Sequence, residues 1–350
     1  MKRFLLLLVL LLVLGAAGAA GVLYHRAYTP YRGYSEPARI VEIAPGSGSR
    51  VIGERLVAAG VVPDRYTFET AIHLAGASRR LKAGAYRFDR PMTPLDVVDK
   101  IARGDVYVVR ITFPEGLTIR EMARLYEARG LGTAAAFERA ASDPAPIRAL
   151  DPDATSLEGY LFPETYSVQP NAPASTLVDA MVARFRQVFD PALRQDAEAR
   201  GLSVRQTVTL ASIVEKETGN PSERSLVAAV YENRLRIGMA LQCDPTVIYA
   251  LEQAGRYTGH LHHDDMSFDS PYNTYRYPGL PPGPIASPGL ASINAALNPA
   301  PVTYLYFVSR HDGTHVFART LAEHNRNVRK YQIDYFRDKR PSHAGAGRPR

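Results

Sequence analysis

LASIVEKET, Leu210 to Thr218, sets Glu215 and Glu217 two positions apart in a segment otherwise apolar enough for a protein core. Taken as a helix at about 100° per residue, it puts Leu210, Ile213, Val214 and Glu217 on one face. Glu217 therefore points where the aliphatic side chains point. Glu215 lies about 160° away from it, nearer the edge of the stripe, with Lys216 on the opposite side. A carboxyl forced into apolar surroundings keeps its proton to higher pH, because burial penalises the charged form. That is the property of a general acid working near neutrality. The plainer alternative for Glu217 is a helix-end carboxylate paired with an arginine.

Three further clusters bear on that choice. LEGYLFPETY (Leu157 to Tyr166), LQCDPTVIY (Leu241 to Tyr249) and SPYNTYRYPGLPPGPI (Ser270 to Ile285) pack tyrosine, asparagine and carboxylate against proline and glycine. Sugar binding uses this vocabulary: aromatic faces stack on pyranose rings while amides and carboxylates take the hydroxyls. Rigid turns with core-packed tyrosines use it too, but three such clusters in one stretch of chain favour a lined groove. Ser212 and Lys216 stand i, i+4 and could form a serine-lysine dyad, for which no oxyanion-hole motif is visible. The stretch His260 to Asp265 is rich in potential metal ligands but lacks helical or strand spacing, so it reads as a solvated loop. No metal and no other cofactor is expected.

The 350 residues allow two domains, and the apolar fraction is ordinary for a globular chain. A net charge of +7 suits an anionic membrane surface or an acidic polymer. Without zinc-finger spacing, an aromatic RNA-binding signature or a long basic run, nucleic acid is not an expected partner. Lys2 and Arg3 precede an uncharged run from Phe4 to Tyr24, about 30 Å long as a helix and enough to cross a bilayer. Ala17-Gly18-Ala19 would also suit signal-peptide cleavage, but apolar character continues through Tyr24 and favours an uncleaved anchor. The basic start then places the rest of the chain outside, making this a single-pass protein of the plasma (inner) membrane. The lone Cys243 allows no internal disulfide, so stability must come from packing.

The anchor, 1–24, is followed by a linker, 25–39, carrying Pro30, Gly33 and Pro37. Residues 40–104 read as a β-α-α-β unit, with strands near Val41–Ile43 and Ala83–Phe88, and a further helix from Thr93 to Arg103 closed by Gly104. Pro45, Arg50, Leu56, Gly60 and Phe68 find counterparts in Pro114, Arg120, Leu125, Gly130 and Phe137, so 105–150 reads as a repeat-like continuation and connector. Residues 151–336 form a larger mixed domain, and 337–350 a disordered basic tail. The whole is α+β.

LASIVEKET, NRLRIGMALQCDPTVIYAL, SPYNTYRYPGLPPGPIASPG and the late HNRNV resemble the signature blocks of the membrane-bound endolytic murein transglycosylases, the MltG or YceG-like family. The resemblance covers nearly the whole chain. It implies that 40–104 is a LysM-like peptidoglycan-binding module and 151–336 the catalytic domain. It also implies that Glu217, the second glutamate of the E-K-E segment, is catalytic. Cys243 departs from the small hydroxyl residue expected there. The implied reaction cleaves the bond between N-acetylmuramic acid and N-acetylglucosamine within nascent peptidoglycan strands, leaves 1,6-anhydro ends and limits strand length. Glu164, Gln242, Asp244, Tyr272, Asn273 and Tyr275 are the candidates for lining the groove. Glu215, or else Asp244 or Glu164, could supply a second carboxylate, which would make the enzyme a hydrolytic muramidase. A non-catalytic, membrane-tethered peptidoglycan-binding scaffold is the remaining alternative. Glycan strands and the lipid bilayer are the expected partners, with cell-wall synthesis enzymes implied by the family.

Overall fold

A computed structural model of the chain describes residues 2–338, so the tail beyond Asp338 lies outside the described residues. The fold is mixed α+β and divides into two units. The first runs to Arg110 and takes back Ser167–Ala172; the second comprises Ile111–Tyr166 and everything from Pro173.

In the first unit, α1 spans Lys2–Ala27, about 39 Å at 1.5 Å per residue. It is long and apolar enough to cross a membrane, and Phe4 to Leu14 are exposed on every side of it. Its last residue, Ala27, is fully buried, and Arg26 pairs with Asp64 at 3.2 Å. The stretch 25–39, read from the sequence as a linker, is thus tied down at its start. It is held again at Tyr31, which exchanges backbone hydrogen bonds with Met92. Backbone polar groups seek partners even in a Pro/Gly-rich passage, and a neighbouring loop supplied them here.

Strand β1 (Arg39–Ile43), helices α2 (Ser49–Ala58) and α3 (Arg65–Leu74) and strand β2 (Gly84–Phe88) follow in the β-α-α-β order. The strands pair antiparallel, Val41 opposite Tyr86. Val41, Ile43, Tyr86 and Phe88 turn inward onto Leu56, Phe68 and Ile72, while Ile40 and Glu42 face out. This is the period-2 alternation of a half-buried sheet. Helix α4 (Pro94–Arg103) begins with a reciprocal Thr93–Asp96 capping box and a proline in its first turn, and ends at Gly104 with φ +75°. Each of these is a local signal, which is why the element is legible from its own residues.

The chain leaves the first unit within β3 (Val109–Thr112), and α5 (Ile119–Ala128) and α6 (Ala134–Ala141) repeat the strand-helix-helix order. Residues 111–150, read as a connector, therefore fold into the second unit. Strand β4 (Thr165–Val168) pairs with β3, and the division between the units falls within both strands. The second unit continues with α7 (Ala174–Val188), α8 (Pro191–Ala199), α9 (Val204–Glu217), α10 (Arg224–Arg236), α11 (Asp244–Gln253) and α12 (Leu290–Leu297). It closes with the hairpin β5–β6 (Tyr306–Ser309, His315–Ala318), α13 (Leu321–Val328), a π-helical turn at Arg329–Asp334 and α14 (Tyr335–Asp338).

Helix α9 is the centre of this unit. A Ser203–Gln206 capping box starts it, and all eight residues from Thr207 to Val214 are buried, packed by α8, α10, α11 and α12. The apolar stripe read from the sequence is thus one face of a helix enclosed all round. The proline-glycine block lies against it: Gly159 sits at φ +84°, and a Cβ there would come within 2.4 Å of Pro284. Asp151 is buried and accepts one edge of the Arg205 guanidinium in a bidentate pair, at 2.9 Å from Nε and 2.8 Å from an η nitrogen, together with the Tyr160 hydroxyl.

Glu158 is buried at the start of α5, accepting the Ile119 N–H at 3.1 and 3.3 Å and the Tyr249 hydroxyl at 3.4 Å. Burial pushes its carboxyl up to about 8, against the pull of those hydrogen bonds. The folded state therefore favours the neutral form over a range in which the unfolded carboxyl is ionised. The resulting stabilisation is complete below about pH 4.5, erodes by up to about 1.4 kcal/mol per pH unit as pH rises, and is gone above about pH 8. Glu158→Gln should flatten that part of the profile in urea unfolding between pH 5 and 8 in detergent. An unchanged slope would contradict the neutral carboxyl.

Candidate active site

A cavity of about 440 Å³ opens in the second unit beside the last residue of α9. Glu217 forms its floor. From α10 come Tyr231 and Arg234, three positions apart and so on one helix face; Gln242 comes from the turn before α11 and Asp244 from its first position; Tyr275 follows from the proline-rich block. The opposite wall is the C-terminal part of the unit, with Tyr306 and Phe307 on β5 and Leu321, His324 and Asn325 on α13. The volume lies in the usual range of small-ligand sites.

Glu217 Oε1 accepts the Tyr231 hydroxyl at 2.7 Å and the Cys243 thiol at 3.0 Å. Among the described residues, Oε2 accepts no hydrogen bond. Burial raises the carboxyl above its ordinary range; the Cys243 and Tyr231 hydrogen bonds oppose this, the nearby Asp244 charge adds to it, and His315 opposes it more weakly. Burial prevails, so the acid form persists to higher pH than in a solvated glutamate.

The turn at Gln242 explains how one short segment serves both wall and core. Gln242 holds φ +49°, a left-handed conformation that costs a non-glycine residue about 1 kcal/mol or more. Its N–H bonds to the Thr274 carbonyl at 3.1 Å, and the Cys243 N–H to the Thr274 hydroxyl at 3.0 Å. The exposed Gln242 and Asp244 side chains line the cavity, while Cys243 between them is fully buried. The Tyr275 hydroxyl donates to Asp244 Oδ1. Arg234, itself buried, donates to the carbonyls of Leu305 and Leu241 and stacks over Tyr306, so it ties the β5 wall to α10. Tyr306 in turn stacks on His324, with ring centroids 5.1 Å apart.

Of the residues singled out from the sequence, Glu217, Gln242, Asp244 and Tyr275 are brought together. Four others are not. Glu164 is exposed and paired with Arg184. Tyr272 packs on Tyr249 and lines a separate cavity of about 90 Å³ with Asp151 and Glu158. Asn273 is fully buried; its amide donates to the carbonyls of Met266 and Phe268 and its oxygen accepts the Tyr275 N–H, so it shapes the turn that presents Tyr275. Glu215 accepts the Gly289 N–H at 3.0 Å at the start of α12 and faces Arg224 at 3.5 Å. A negative charge at a helix N-terminus is stabilising, so the arginine-paired, structural role belongs to Glu215.

Tyr231, Arg234, Tyr306, Phe307 and His324 were not singled out from the sequence. Arg234 and His324 lie within the motif blocks NRLRIG and HNRNV, which was the available signal; nothing in the sequence marked Tyr306 and Phe307. Ser212 is buried, its hydroxyl donating to the Thr209 carbonyl and accepting the Ile285 N–H, while Lys216 reaches the Gly116 carbonyl. The serine-lysine dyad is therefore not assembled. The stretch His260 to Asp265 runs into a 3₁₀ turn, His263–Ser267, in which Asp265 accepts the His262 N–H.

A model described as the YceG-like family matches residues 41–330. An endolytic murein transglycosylase of Bacillus subtilis (strain 168) is 33% identical over 317 residues, covering 83% of this chain and 84% of the relative. An endolytic murein transglycosylase of Streptococcus pneumoniae serotype 2 is 30% identical over 363 residues, covering 95% of this chain and 65% of the relative. Among solved structures, a YceG-like protein of Listeria monocytogenes matches with a TM-score of 0.57 at 32% identity, covering 83% of this chain and 99% of that one.

Proposed function

The chain belongs to the YceG-like family, and from that premise we propose that it is a peptidoglycan-cleaving lytic transglycosylase in which Glu217 is first the acid and then the base. The observation that carries the assignment is the environment of Glu217: a carboxyl whose acid form burial favours, with one oxygen bound by Tyr231 and Cys243 and the other without a hydrogen bond among the described residues, lining a cavity together with Tyr231, Tyr275 and Tyr306.

The reaction needs no second nucleophile. Glu217 gives its proton to the oxygen linking N-acetylmuramic acid to N-acetylglucosamine as the bond from that oxygen to C1 breaks. The resulting carboxylate then takes the proton of the muramic C6 hydroxyl, whose oxygen bonds to C1. One C–O bond is lost, one is gained, the acid is regenerated and no water is consumed. Asp244, oriented by the Tyr275 hydroxyl, supplies negative charge in the same cavity and would stabilise the positive character that develops at C1. Tyr306, held by Arg234 and His324, and Phe307 put aromatic side chains on the wall that the sugar rings would meet.

Digestion of purified glycan strands followed by mass spectrometry tests the outcome. Product ends lighter by one water are expected; ends carrying a full reducing sugar would mean a muramidase instead.

The remaining parts serve delivery. We assign strand binding to a LysM-like module at 40–104, on the strength of its β-α-α-β order and antiparallel strand pairing, and cleavage to 151–336. Helix α1 would act as an uncleaved anchor, with Lys2 and Arg3 on the cytoplasmic side of the plasma membrane. That tether would confine cutting to newly made strands near the bilayer, limit their length, and bring the enzyme close to the cell-wall synthesis machinery.

A further inference from the structure

The two donors to Glu217 Oε1 are not interchangeable with solvent. Tyr231 is fully buried on α10, braced edge-on by Phe307 with centroids 6.0 Å apart. Cys243 is fully buried, its backbone fixed by bonds to the Thr274 and Thr246 hydroxyls. Each reaches the same carboxylate oxygen, at 2.7 and 3.0 Å. An oxygen that receives two protein donors is poorly placed to hold a proton as well. With the acid proton on Oε2, both bonds persist; with the proton on Oε1, at least one is lost.

Resting on the reading of Glu217 as the acid, we propose that Tyr231 and Cys243 are positioning residues: together they hold Oε1 as an acceptor, consign the transferable proton to Oε2, which has no hydrogen bond among the described residues, and stabilise the carboxylate left after that proton has gone. Neither residue exchanges a proton with the substrate in this arrangement. The proton leaves Oε2 for the glycosidic oxygen, the electron pair it leaves behind is shared with Oε1, and the two donors meet the charge there. Oε2 then takes the C6 hydroxyl proton and the cycle closes. The thiol gives this protein a particular setting of the device. A thiol is a weaker donor than a hydroxyl, so Cys243 stabilises the carboxylate less than a serine or threonine would and leaves Glu217 a more persistent acid.

The test is the pH profile of kcat/KM on purified glycan strands, with strand binding measured in a Glu217→Gln background. Loss of activity on the alkaline side follows ionisation of Glu217, and its position reports how well the carboxylate is stabilised. Tyr231→Phe should lower kcat by about 10- to 100-fold and move the alkaline limb up by about one pH unit, since a hydrogen bond to a charged group is lost. Cys243→Ala should move the limb up by a smaller step. Cys243→Ser should move it down and retain more activity than the alanine variant. Strand affinity should stay within about twofold in each, because the effect lies on proton transfer.

Opposite shifts for serine and alanine at 243 support the clamp, and a purely structural role would not produce them. Limbs that coincide with the parent, or that move the same way for serine and alanine, overturn it. Should Tyr231→Phe fail to fold, the pair of variants at 243 decides the matter alone. If Glu217→Gln is inactive while all three profiles match the parent, the clamp fails and the assignment of the acid stands. If Glu217→Gln cleaves at the parent rate, that assignment itself fails.

Discussion

Glu217→Gln should reduce cleavage of purified glycan strands by at least about 10³-fold while leaving strand binding intact. General acid and base assistance are each worth about 10²- to 10⁴-fold, and in the proposed cycle one carboxyl supplies both. Glutamine keeps the volume and still presents an oxygen to the Tyr231 hydroxyl and the Cys243 thiol, but it offers no acidic proton to the leaving oxygen and no basic site to the C6 hydroxyl. The fold should tolerate the change, since burial already favours an uncharged group at this position. Release of anhydro ends measured under single-turnover conditions gives the number directly. Cleavage at the parent rate by a folded variant would falsify the assignment. In the parent, the raised carboxyl predicts activity that persists to higher pH than an ordinary glutamic acid would allow and is lost as pH climbs through the folded-state value of Glu217.

Asp151→Ala should destabilise the second unit by about 3 kcal/mol. Asp151 is 5% exposed and meets Arg205, whose side chain is 25% exposed, and the Tyr160 hydroxyl. Truncation leaves a largely enclosed guanidinium and a buried hydroxyl without their acceptor, and that desolvation penalty is what makes breaking a buried pair costly. The water-facing edge of Arg205 keeps the figure at the low end of the range for such pairs. For a domain of this size the midpoint of thermal unfolding should fall by roughly 6 to 12 °C. Asp151→Asn should recover part of the loss, because its carbonyl still accepts from Tyr160 and Arg205. A shift below about 2 °C for the alanine variant would mean that the pair contributes almost nothing.

How far the sequence could be read depended on how far apart the interacting residues lie along it. Helix α4 was readable in full because its start, Thr93 with Asp96, and its stop, Gly104, are contained in the element. Glu217 was readable because helical phase is a local property: residues three, four and seven positions before it fix which way it points. The same phase could not assign Glu215, whose partners are the N–H of Gly289 and the guanidinium of Arg224. Tyr272, Asn273 and Tyr275 looked equivalent in one motif, yet they end in a separate cavity, inside a turn and on the cavity wall. Adjacent residues in a tight turn diverge by large angles, and composition carries no record of which way each one faces. Tyr306 and Phe307, roughly ninety positions beyond Glu217, carried no local mark at all.

The amino-acid order by itself therefore determined the apolar N-terminal helix, the β-α-α-β succession, the apolar helical stripe from Leu210 and the glutamate that points with it, since each follows from periodicity and caps within a few residues. Tertiary structure alone decided that Tyr231 and Cys243 converge on one oxygen of that glutamate, that the C-terminal hairpin and α13 form the facing wall, and that Glu215 is spent on holding another helix. Those outcomes depend on chain segments meeting across long separations, where the free energy of packing selects one arrangement among many that local pattern leaves equally open.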